Sequence, residues 1–225
     1  MPSPASTATP ERGPGPVYGA SRQGLLTRIA EPLATRSRER RHRRFREIVG
    51  IAPGARVIDV GCGPQGVAAF EPGAEVTGVD AIEQPHYPGA RFVRADAGAL
   101  PFADGSFEIA YSNSLIEHLP PSARPAFADE MRRVAGRYWV QTPNRFFPVE
   151  PHVLLPGFQF LPLAAQRRLW RLGASRGPFE EIHLLDAAEL SRLFPGALII
   201  RERFAGMTKS LIAAGPRQAL GAGGV

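Results

Sequence analysis

The sequence predicts an α/β protein with a doubly wound, mostly parallel seven-stranded sheet of the Rossmann-like kind. Short apolar runs alternate with helical periodicity along the chain. A glycine-rich turn follows the first apolar run, and three successive runs end in an aspartate. With 225 residues, of which 44% are hydrophobic, the chain can bury one core, so we expect a single folded unit.

The elements follow in chain order from this alternation. A basic helical region is predicted over 22–50, and Pro32 is expected to break it or to start its second half. Strands are predicted at 56–61, 74–80, 90–95, 107–112 and 137–142, with a terminal strand pair at 197–204 and 208–214. Helices are predicted over 122–134 and 186–194, the second capped by Asp186 and closed by Pro195-Gly196.

The turn after the first strand has the spacing Gly-x-Gly-x-x-Gly at Gly61, Gly63 and Gly66. Glycine permits positive φ and a close approach of the main chain to a ligand. The spacing alone also fits dinucleotide sites. Asp59, two residues before the first glycine, would repel a pyrophosphate and could accept hydrogen bonds from a cationic amino group. The turn therefore favours a ligand with an amino group and no phosphate, which suggests S-adenosylmethionine.

The next two strands also end in acids, Asp80 and Asp96. A carboxylate at Asp80 can take both hydroxyls of a ribose, and Asp96 would lie where an adenine amino group can donate to it. A single aspartate of this kind is more often a helix N-cap. The ordered set of three favours a nucleoside-binding edge, because the carboxyl ends of parallel strands meet there.

On these residues the chain resembles the class I S-adenosylmethionine-dependent methyltransferases (methyltransferase type 11-like), from about Arg56 to about Gly215. Residues 57–63 resemble the first motif of that family, and 112–119 resemble the fourth motif, beside the transferable methyl group. The resemblance implies S-adenosyl-L-methionine as the cofactor and an antiparallel last strand. The cofactor-binding residues it implies are Asp59, Gly61, Cys62, Gly63, Gly66, Asp80, Ala81, Asp96, Ala97, Ser112 and Asn113.

The predicted organisation has four parts. Residues 1–21 are rich in Pro, Gly, Ser and Thr and are expected to be a disordered tail, followed by the basic helical region at 22–50. The methyltransferase domain is expected over 51–215, with a flexible tail at 216–225. Within the domain, the Pro- and Phe-rich segment 143–185 is predicted to form an ordered aromatic loop that serves as acceptor pocket and lid. Packing on the sheet or on another subunit is its alternative.

Three residues are candidates for catalysis. An oxygen acceptor must lose its proton, and histidine has a suitable pKa for a general base. His118, which follows the fourth motif, is the first candidate and His152 the second. Either could instead hold its loop by hydrogen bonds. Glu117 could orient His118 or contact the methionine end of the cofactor. We expect O-methylation of a small or lipid-linked hydroxylated acceptor, such as a saccharide or other glycan.

The excess positive charge is confined to the N-terminal part of the chain. Residues 1–50 hold ten basic and four acidic side chains, and the remainder holds 17 of each. The run at 36–46 could attract RNA or anionic lipid, so an RNA methyltransferase is an alternative. We favour a solvated helix that packs through Phe45, Ile48 and Val49, and therefore expect no stable nucleic acid partner. A peripheral membrane contact that presents a lipid-linked acceptor is a further alternative.

The remaining expectations concern metal, compartment and assembly. Some O-methyltransferases of this superfamily bind a divalent metal through Glu-x-x-Glu-His, but Ser114 replaces the first acid here, so no metal is expected. Cys62 is the only cysteine, and the N-terminus lacks the pattern of a secretory signal, which favours the cytoplasm. A monomer or a homodimer is expected. A nicotinamide-dependent oxidoreductase and a non-catalytic nucleoside-binding scaffold are the other classes left open.

Overall fold

The computed structural model of the chain describes residues 25–149, 155–174, 179 and 181–216. The two predicted tails therefore fall outside the described residues, apart from Pro216, and so does the candidate base His152.

Seven strands form one sheet in the order β3-β2-β1-β4-β5-β7-β6. The strands are β1 Arg56–Val60, β2 Glu75–Asp80, β3 Arg91–Arg94, β4 Phe107–Asn113, β5 Ala135–Pro143, β6 Leu198–Phe204 and β7 Met207–Gly215. The first five strands pair in parallel, and β7 lies antiparallel between β5 and β6. This is the predicted doubly wound sheet, and its reversal of strand order between β1 and β4 creates a crevice at the carboxyl ends of these two strands.

In the part of the chain that the structure describes, four α-helices accompany the sheet: α1 Leu25–Val49, α2 Arg124–Val134, α3 Leu163–Leu169 and α4 Ala187–Leu193. The predicted break at Pro32 is wrong, since α1 continues through it. A proline inside a helix removes one backbone donor and crowds the carbonyl four residues earlier, but the remaining bonds of this 25-residue helix and its packing through Phe45 and Val49 keep the helix continuous. The cap of α4 is confirmed, because the Asp186 carboxylate accepts the Glu189 N–H at 2.8 Å.

The helices cover both faces of the sheet. On one face α1 packs Phe45, Ile48 and Val49 against β-strand residues that include Trp139 and Ile212. Phe45 is fully buried, with its ring edge-on to Trp139 at 5.7 Å between centroids. The predicted packing of the basic helix through these three residues is confirmed. Exposed arginines occupy its outer face.

On the opposite face α2 and α4 cover a second apolar cluster. Its fully buried members include Phe127, Met131 and Val134 of α2, and Leu190 of α4. The buried Arg124 side chain joins the two helices, because it donates to the Glu189 carboxylate and to the His183 carbonyl. Burial of both faces explains why the central strands read as continuous apolar runs rather than alternating ones.

The segment 143–185 contains a helix, α3, that the sequence analysis did not predict. A π-helical turn, Trp170–Ala174, extends α3 at its carboxyl end. Several large apolar side chains of the segment are exposed, among them Phe146 at 65% and Phe160 at 55%. Within the described residues no helix is both long enough and apolar enough to cross a bilayer.

Candidate active site

A cavity of about 490 Å³ opens at the carboxyl ends of the parallel strands. Apolar residues and the two acids Asp80 and Asp96 are among the residues that line it. The lining residues are Val60, Gly61, Val79, Asp80, Ala81, Arg94, Ala95, Asp96, Ala97, Leu115 and Leu119. Five of the predicted cofactor-binding residues are thus brought to one cavity, namely Gly61, Asp80, Ala81, Asp96 and Ala97.

The glycine turn beside the cavity could not be built from other residues. Gly61, Gly63 and Gly66 have φ of 71°, 55° and 52°, in the region that favours glycine. A Cβ on Gly61 would lie 2.8 Å from the Leu115 side chain. A Cβ on Gly66 would lie 2.0 Å from the Asp59 carboxylate. The turn therefore rests directly on Leu115 and on Asp59.

Asp59 is buried beneath the turn and does not line the cavity. Its Oδ2 accepts the Val67 N–H at 2.7 Å and the Tyr87 hydroxyl at 3.1 Å. Burial raises the pKa of Asp59 to about 7, although both hydrogen bonds act in the opposite direction. Asp59 thus holds the carboxyl end of the turn and ionises within the physiological range of pH.

Tyr87 is a site residue that the sequence analysis missed. Its ring lies so close to β2 that a Cβ on Gly78 would be 2.5 Å from it, and its hydroxyl reaches Asp59 from the loop after β2. The glycine at position 78, in the middle of a buried strand, was the available signal, because such a glycine often marks the close approach of another group.

Asp80, at the end of β2, connects the glycine turn to the next loop. Its Oδ2 accepts the Gly63 N–H at 3.0 Å, and its Oδ1 accepts the Ile82 N–H at 3.0 Å. These bonds fix the carboxylate at the edge of the cavity. Each carboxylate oxygen has a second lone pair, so both can still accept a ligand hydroxyl.

Asp96 and its neighbours form the far side of the cavity. Asp96 is exposed, and its Oδ1 accepts the Gly98 N–H at 2.7 Å. Arg94 donates from Nε to the carbonyl of Ala81 at 3.1 Å, which ties the ends of β2 and β3 together. Ala97 lines the cavity without a polar side chain.

The fourth-motif residues follow β4 directly. Ser112 is fully buried, whereas Asn113 accepts the Arg41 guanidinium at 2.8 Å through Oδ1. Ser114 has a φ of 57°, which is unusual for a residue other than glycine, and its N–H donates to the Gln141 carbonyl at 3.0 Å. This left-handed residue turns the chain so that Leu115 enters the cavity wall.

The candidate catalytic residues lie on the short 3-10 turn Ile116–His118. Glu117 is fully buried, and its Oε2 accepts the Thr142 hydroxyl at 3.0 Å. Its backbone carbonyl accepts the His183 N–H at 2.8 Å. His118 is partly buried and lies in the sequence between Leu115 and Leu119, both of which line the cavity. The structure therefore places His118 on the turn between two residues of the cavity wall, and it buries Glu117 against Thr142.

Cys62 lies buried inside the glycine turn. Burial raises the pKa of its thiol well above the ordinary value, and the carboxylates of Asp59 and Asp80 add to the shift. The thiolate is the nucleophilic form of cysteine, so Cys62 is inert near neutral pH. In the part of the chain that the structure describes, no group of three His, Cys, Asp or Glu side chains is placed to hold a metal ion.

Comparison with known proteins gives an independent result. Residues 58–137 match the methyltransferase domain family. The chain is 38% identical over 96 residues to 2-methyl-6-phytyl-1,4-hydroquinone methyltransferase from Synechocystis sp., and 40% identical over 91 residues to an uncharacterized methyltransferase from Mycobacterium sp. strain KMS. These matches cover 37% and 36% of this chain, and 30% and 35% of the two relatives. The chain thus spans about a third of the length of these relatives.

The fold has a solved counterpart. Magnesium protoporphyrin IX methyltransferase from Synechocystis PCC 6803, solved with bound S-adenosylhomocysteine, superimposes with a TM-score of 0.54 at 16% sequence identity. The superposition covers 88% of this chain and 90% of that one. The predicted fold is confirmed.

Proposed function

Since the chain carries a methyltransferase domain within a class I fold, we propose that it is an S-adenosylmethionine-dependent methyltransferase acting on a small molecule. The observation that carries this proposal is the cavity at the carboxyl ends of the strands. There the glycine turn, the Asp80 carboxylate and the Asp96 carboxylate meet.

The residues of the cavity fit an adenosyl group. A volume of about 490 Å³ lies in the range of small-molecule sites. Asp80 offers two fixed carboxylate oxygens for the ribose hydroxyls, and Asp96 offers one for an adenine amino group. The aliphatic side chains of Val79, Leu115 and Leu119 can pack against a flat base.

The residues around the glycine turn and the end of β4 would bind the methionine end of the cofactor. Gly61 and Gly63 leave the main chain open to a ligand, and Ser112 and Asn113 follow on the neighbouring strand. The Asp59 carboxylate supplies negative charge beneath the turn. A cationic amino group above it would favour the ionised form of Asp59, whose pKa of about 7 makes this coupling effective near neutral pH.

When bound, S-adenosylmethionine supplies an electrophilic methyl group on a sulfonium. The chain's own part is to align the acceptor and to exclude water. His118 is the proposed general base for a hydroxyl acceptor, with His152 as the alternative base. Glu117, held by Thr142 and by the His183 N–H, fixes the backbone of the turn that carries His118.

The proposed acceptor is a small hydroxylated molecule. The names of the relatives do not support the saccharide that the sequence analysis expected. An RNA acceptor also loses support, because two arginines of the basic helix, Arg41 and Arg46, are paired with the carboxylates of Glu202 and Glu71 of the same chain.

A peripheral membrane contact remains a part of this proposal. Phe146, Phe160 and Leu172 are 65%, 55% and 75% exposed, and all three belong to the segment that follows β5. Cosedimentation with neutral and anionic lipid vesicles would test it. Vesicle binding that survives replacement of both phenylalanines by serine would contradict it.

Calorimetric titration with S-adenosylhomocysteine tests the cofactor proposal. We expect the wild-type protein to bind, and Asp80→Ala to bind roughly tenfold or more weakly, because charge-assisted hydrogen bonds are lost. Asp129→Ala removes an exposed carboxylate that does not line the cavity and serves as the control. A folded wild-type protein that does not bind would overturn the proposal.

A further inference from the structure

Tyr87 is the residue of the loop after β2 whose side chain turns into the protein. Its two chain neighbours are exposed, whereas Tyr87 is partly buried. Three glycines leave the space that its ring occupies. A Cβ on Gly66, Gly78 or Gly89 would lie 3.0 Å, 2.5 Å or 2.3 Å from a ring carbon of Tyr87. The ring is therefore held between the glycine turn, β2 and its own loop.

The hydroxyl of Tyr87 ends at the carboxylate of Asp59. It donates to Oδ2 at 3.1 Å, and the same oxygen accepts the Val67 N–H at 2.7 Å. Asp59 is only 1% exposed, so these donors take the place of water at that oxygen. Among the residues that the structure describes, Tyr87 is the one side chain that donates a hydrogen bond to Asp59.

This donor persists across the physiological range of pH. Burial raises the pKa of the Tyr87 hydroxyl well above its ordinary value, and the charge of Asp59 raises it further. A hydrogen bond from such a group stabilises the ionised form of a carboxyl, so Tyr87 acts against the burial that raises the pKa of Asp59 to about 7. Near neutral pH, the negative charge beneath the glycine turn therefore depends on this hydroxyl.

The other ionisable groups on this face of the sheet do not replace Tyr87. The carboxylate of Asp80 raises the pKa of Asp59. The thiol of Cys62 and the hydroxyl of Tyr111 have raised pKa values, mainly because they are buried, and are neutral near pH 7. Helix α1 packs on the same apolar cluster as Tyr87. Its ionisable side chains are paired with other carboxylates: Arg41 with Glu202, and His42 and Arg46 with Glu71.

Asp59 and Tyr87 both adjoin the wall of the cavity. Val60 and Gly61, which follow Asp59 directly, line the cavity. Gly66, at the end of the glycine turn, leaves no room for a Cβ beside either Asp59 or the Tyr87 ring. A cationic group that binds at this turn would lie in the field of the Asp59 carboxylate, which is strong because the carboxylate is shielded from water.

We propose that Tyr87 is a positioning residue of the cofactor site, which acts through Asp59 and favours ligands that end in a cationic amino group. This inference rests on the proposed function, because it takes the cavity as the site of S-adenosylmethionine. Tyr87 fixes the Asp59 carboxylate and keeps it charged, and the amino-acid end of the nucleoside responds to that charge. A nucleoside that lacks this end binds independently of the Tyr87 hydroxyl.

Two nucleosides separate this role from packing. S-adenosylhomocysteine carries the amino group, and methylthioadenosine lacks it. Both would be titrated calorimetrically into the full wild-type chain and into Tyr87→Phe between pH 6 and pH 8. Tyr87→Phe keeps the ring between the three glycines and removes only the hydroxyl. Protonation of the ligand's own amino group is common to both proteins, so it cancels in their comparison.

We expect Tyr87→Phe to bind S-adenosylhomocysteine roughly five- to tenfold more weakly than the wild type at pH 6, and about twofold more weakly at pH 8. The difference should shrink as pH rises, because Asp59 loses its proton at a higher pH in the variant. The affinity for methylthioadenosine should stay within about a factor of two at each pH.

A double-mutant cycle ties the effect to Asp59. In an Asp59→Asn background, Tyr87→Phe should change the affinity for S-adenosylhomocysteine by no more than about twofold at any pH, because the carboxyl group is gone. Tyr111→Phe is the matched control, since Tyr111 lies opposite Asp59 on β4 without a hydrogen bond to it among the described residues. It should keep the wild-type pH profile. Circular dichroism melts of each variant would confirm that the fold is retained.

The possible failures are distinguishable. If wild type and Tyr87→Phe show the same pH profile for S-adenosylhomocysteine, Tyr87 has no positioning role and the proposed function stands. The same holds if Tyr87→Phe weakens both nucleosides equally at every pH, because the hydroxyl would then serve only the shape of the site. If the wild-type protein binds neither nucleoside, the proposed function fails and the role of Tyr87 fails with it.

Discussion

Among the residues around the glycine turn, Asp59 has the most unusual environment for a carboxyl group. It is buried beneath a turn that a ligand must approach, and it is held there by two donors of different origin, Val67 and Tyr87. Its pKa of about 7 results from burial. Protonation of Asp59 therefore couples the stability of the turn to pH.

The pH dependence of stability follows from the sign of this shift. A carboxyl whose pKa is raised by folding binds its proton more tightly in the folded state, so its contribution to stability falls as pH rises from about 4 to about 7. Relative to Asp59→Asn, the wild-type free energy of unfolding should fall by up to about 1.4 kcal/mol per pH unit in this window. Urea titrations of both proteins between pH 5 and pH 8 would measure it. If the free energies of unfolding of the two proteins had the same pH dependence, the raised pKa of Asp59 would be refuted.

The glycine turn provides a second prediction at this scale, with a matched control. Gly66 and Gly54 both have positive φ, but only Gly66 has an atom within 4 Å of an added Cβ. We expect Gly54→Ala to cost about 1–2 kcal/mol of stability and to leave S-adenosylhomocysteine affinity unchanged. Gly66→Ala should cost about 2–4 kcal/mol of stability, because it also displaces Asp59. It should also weaken the binding of S-adenosylhomocysteine. Equal effects of the two changes on stability and affinity would show that the contact with Asp59 is unimportant.

At the scale of elements, Arg124 is the main polar connection between α2 and α4. It is buried, and it bonds to the Glu189 carboxylate and to the carbonyl of His183, whose N–H in turn holds Glu117. Replacing Arg124 leaves a carboxylate and a carbonyl without this donor. Arg124 therefore connects both helices to the fourth-motif turn, and Arg132 of α2 adds a bond to the Leu193 carbonyl of α4.

Arg124→Met should destabilise the protein by about 2–4 kcal/mol, the usual cost of breaking a buried pair. Arg192→Met, on the exposed side of α4, should change stability by no more than about 0.5 kcal/mol. Chemical unfolding of both variants by fluorescence would compare them. A small effect of Arg124→Met would mean that the apolar contacts between α2 and α4 suffice.

Local patterns predicted the elements well and their junctions less well. The seven strands and the α4 cap could be predicted because apolar runs and caps involve neighbours in sequence. Pro32 misled, since one lost donor does not end a long helix that packs on a sheet. Asp80 and Asp96 could also be predicted from neighbours in sequence, because each directly follows an apolar run. Arg41 and Glu202, which are 161 residues apart, form a pair that no local pattern contains.

The whole molecule depends on strands that lie beyond the family match. That match ends at residue 137, inside β5. The strand β7 then pairs with β5 and buries Leu211, Ile212, Ala213 and Ala214, while β6 pairs only with β7. Without β6 and β7, the edge of β5 would lose its hydrogen-bonding partner and the ring of Trp139 would lose part of its apolar packing.

A chain ending at Gly196 should therefore fail to unfold cooperatively. Each fully buried leucine or isoleucine contributes about 1.5–3 kcal/mol, and a whole domain has only about 5–15 kcal/mol of net stability. Thermal melts followed by circular dichroism, together with limited proteolysis, would compare the shortened and full chains. A sharp transition in the shortened chain would show that the first five strands suffice.

Lys209 has a practical consequence as well, because it is the only lysine in the chain. Its pKa is lowered, so a larger share of its amine is neutral and nucleophilic at a given pH than for an ordinary lysine. Apart from the terminal amine, an acylating reagent has only this side-chain target. Such a reagent would place a fluorophore or a cross-linker at the start of β7, near the Phe204 ring, without any engineered cysteine.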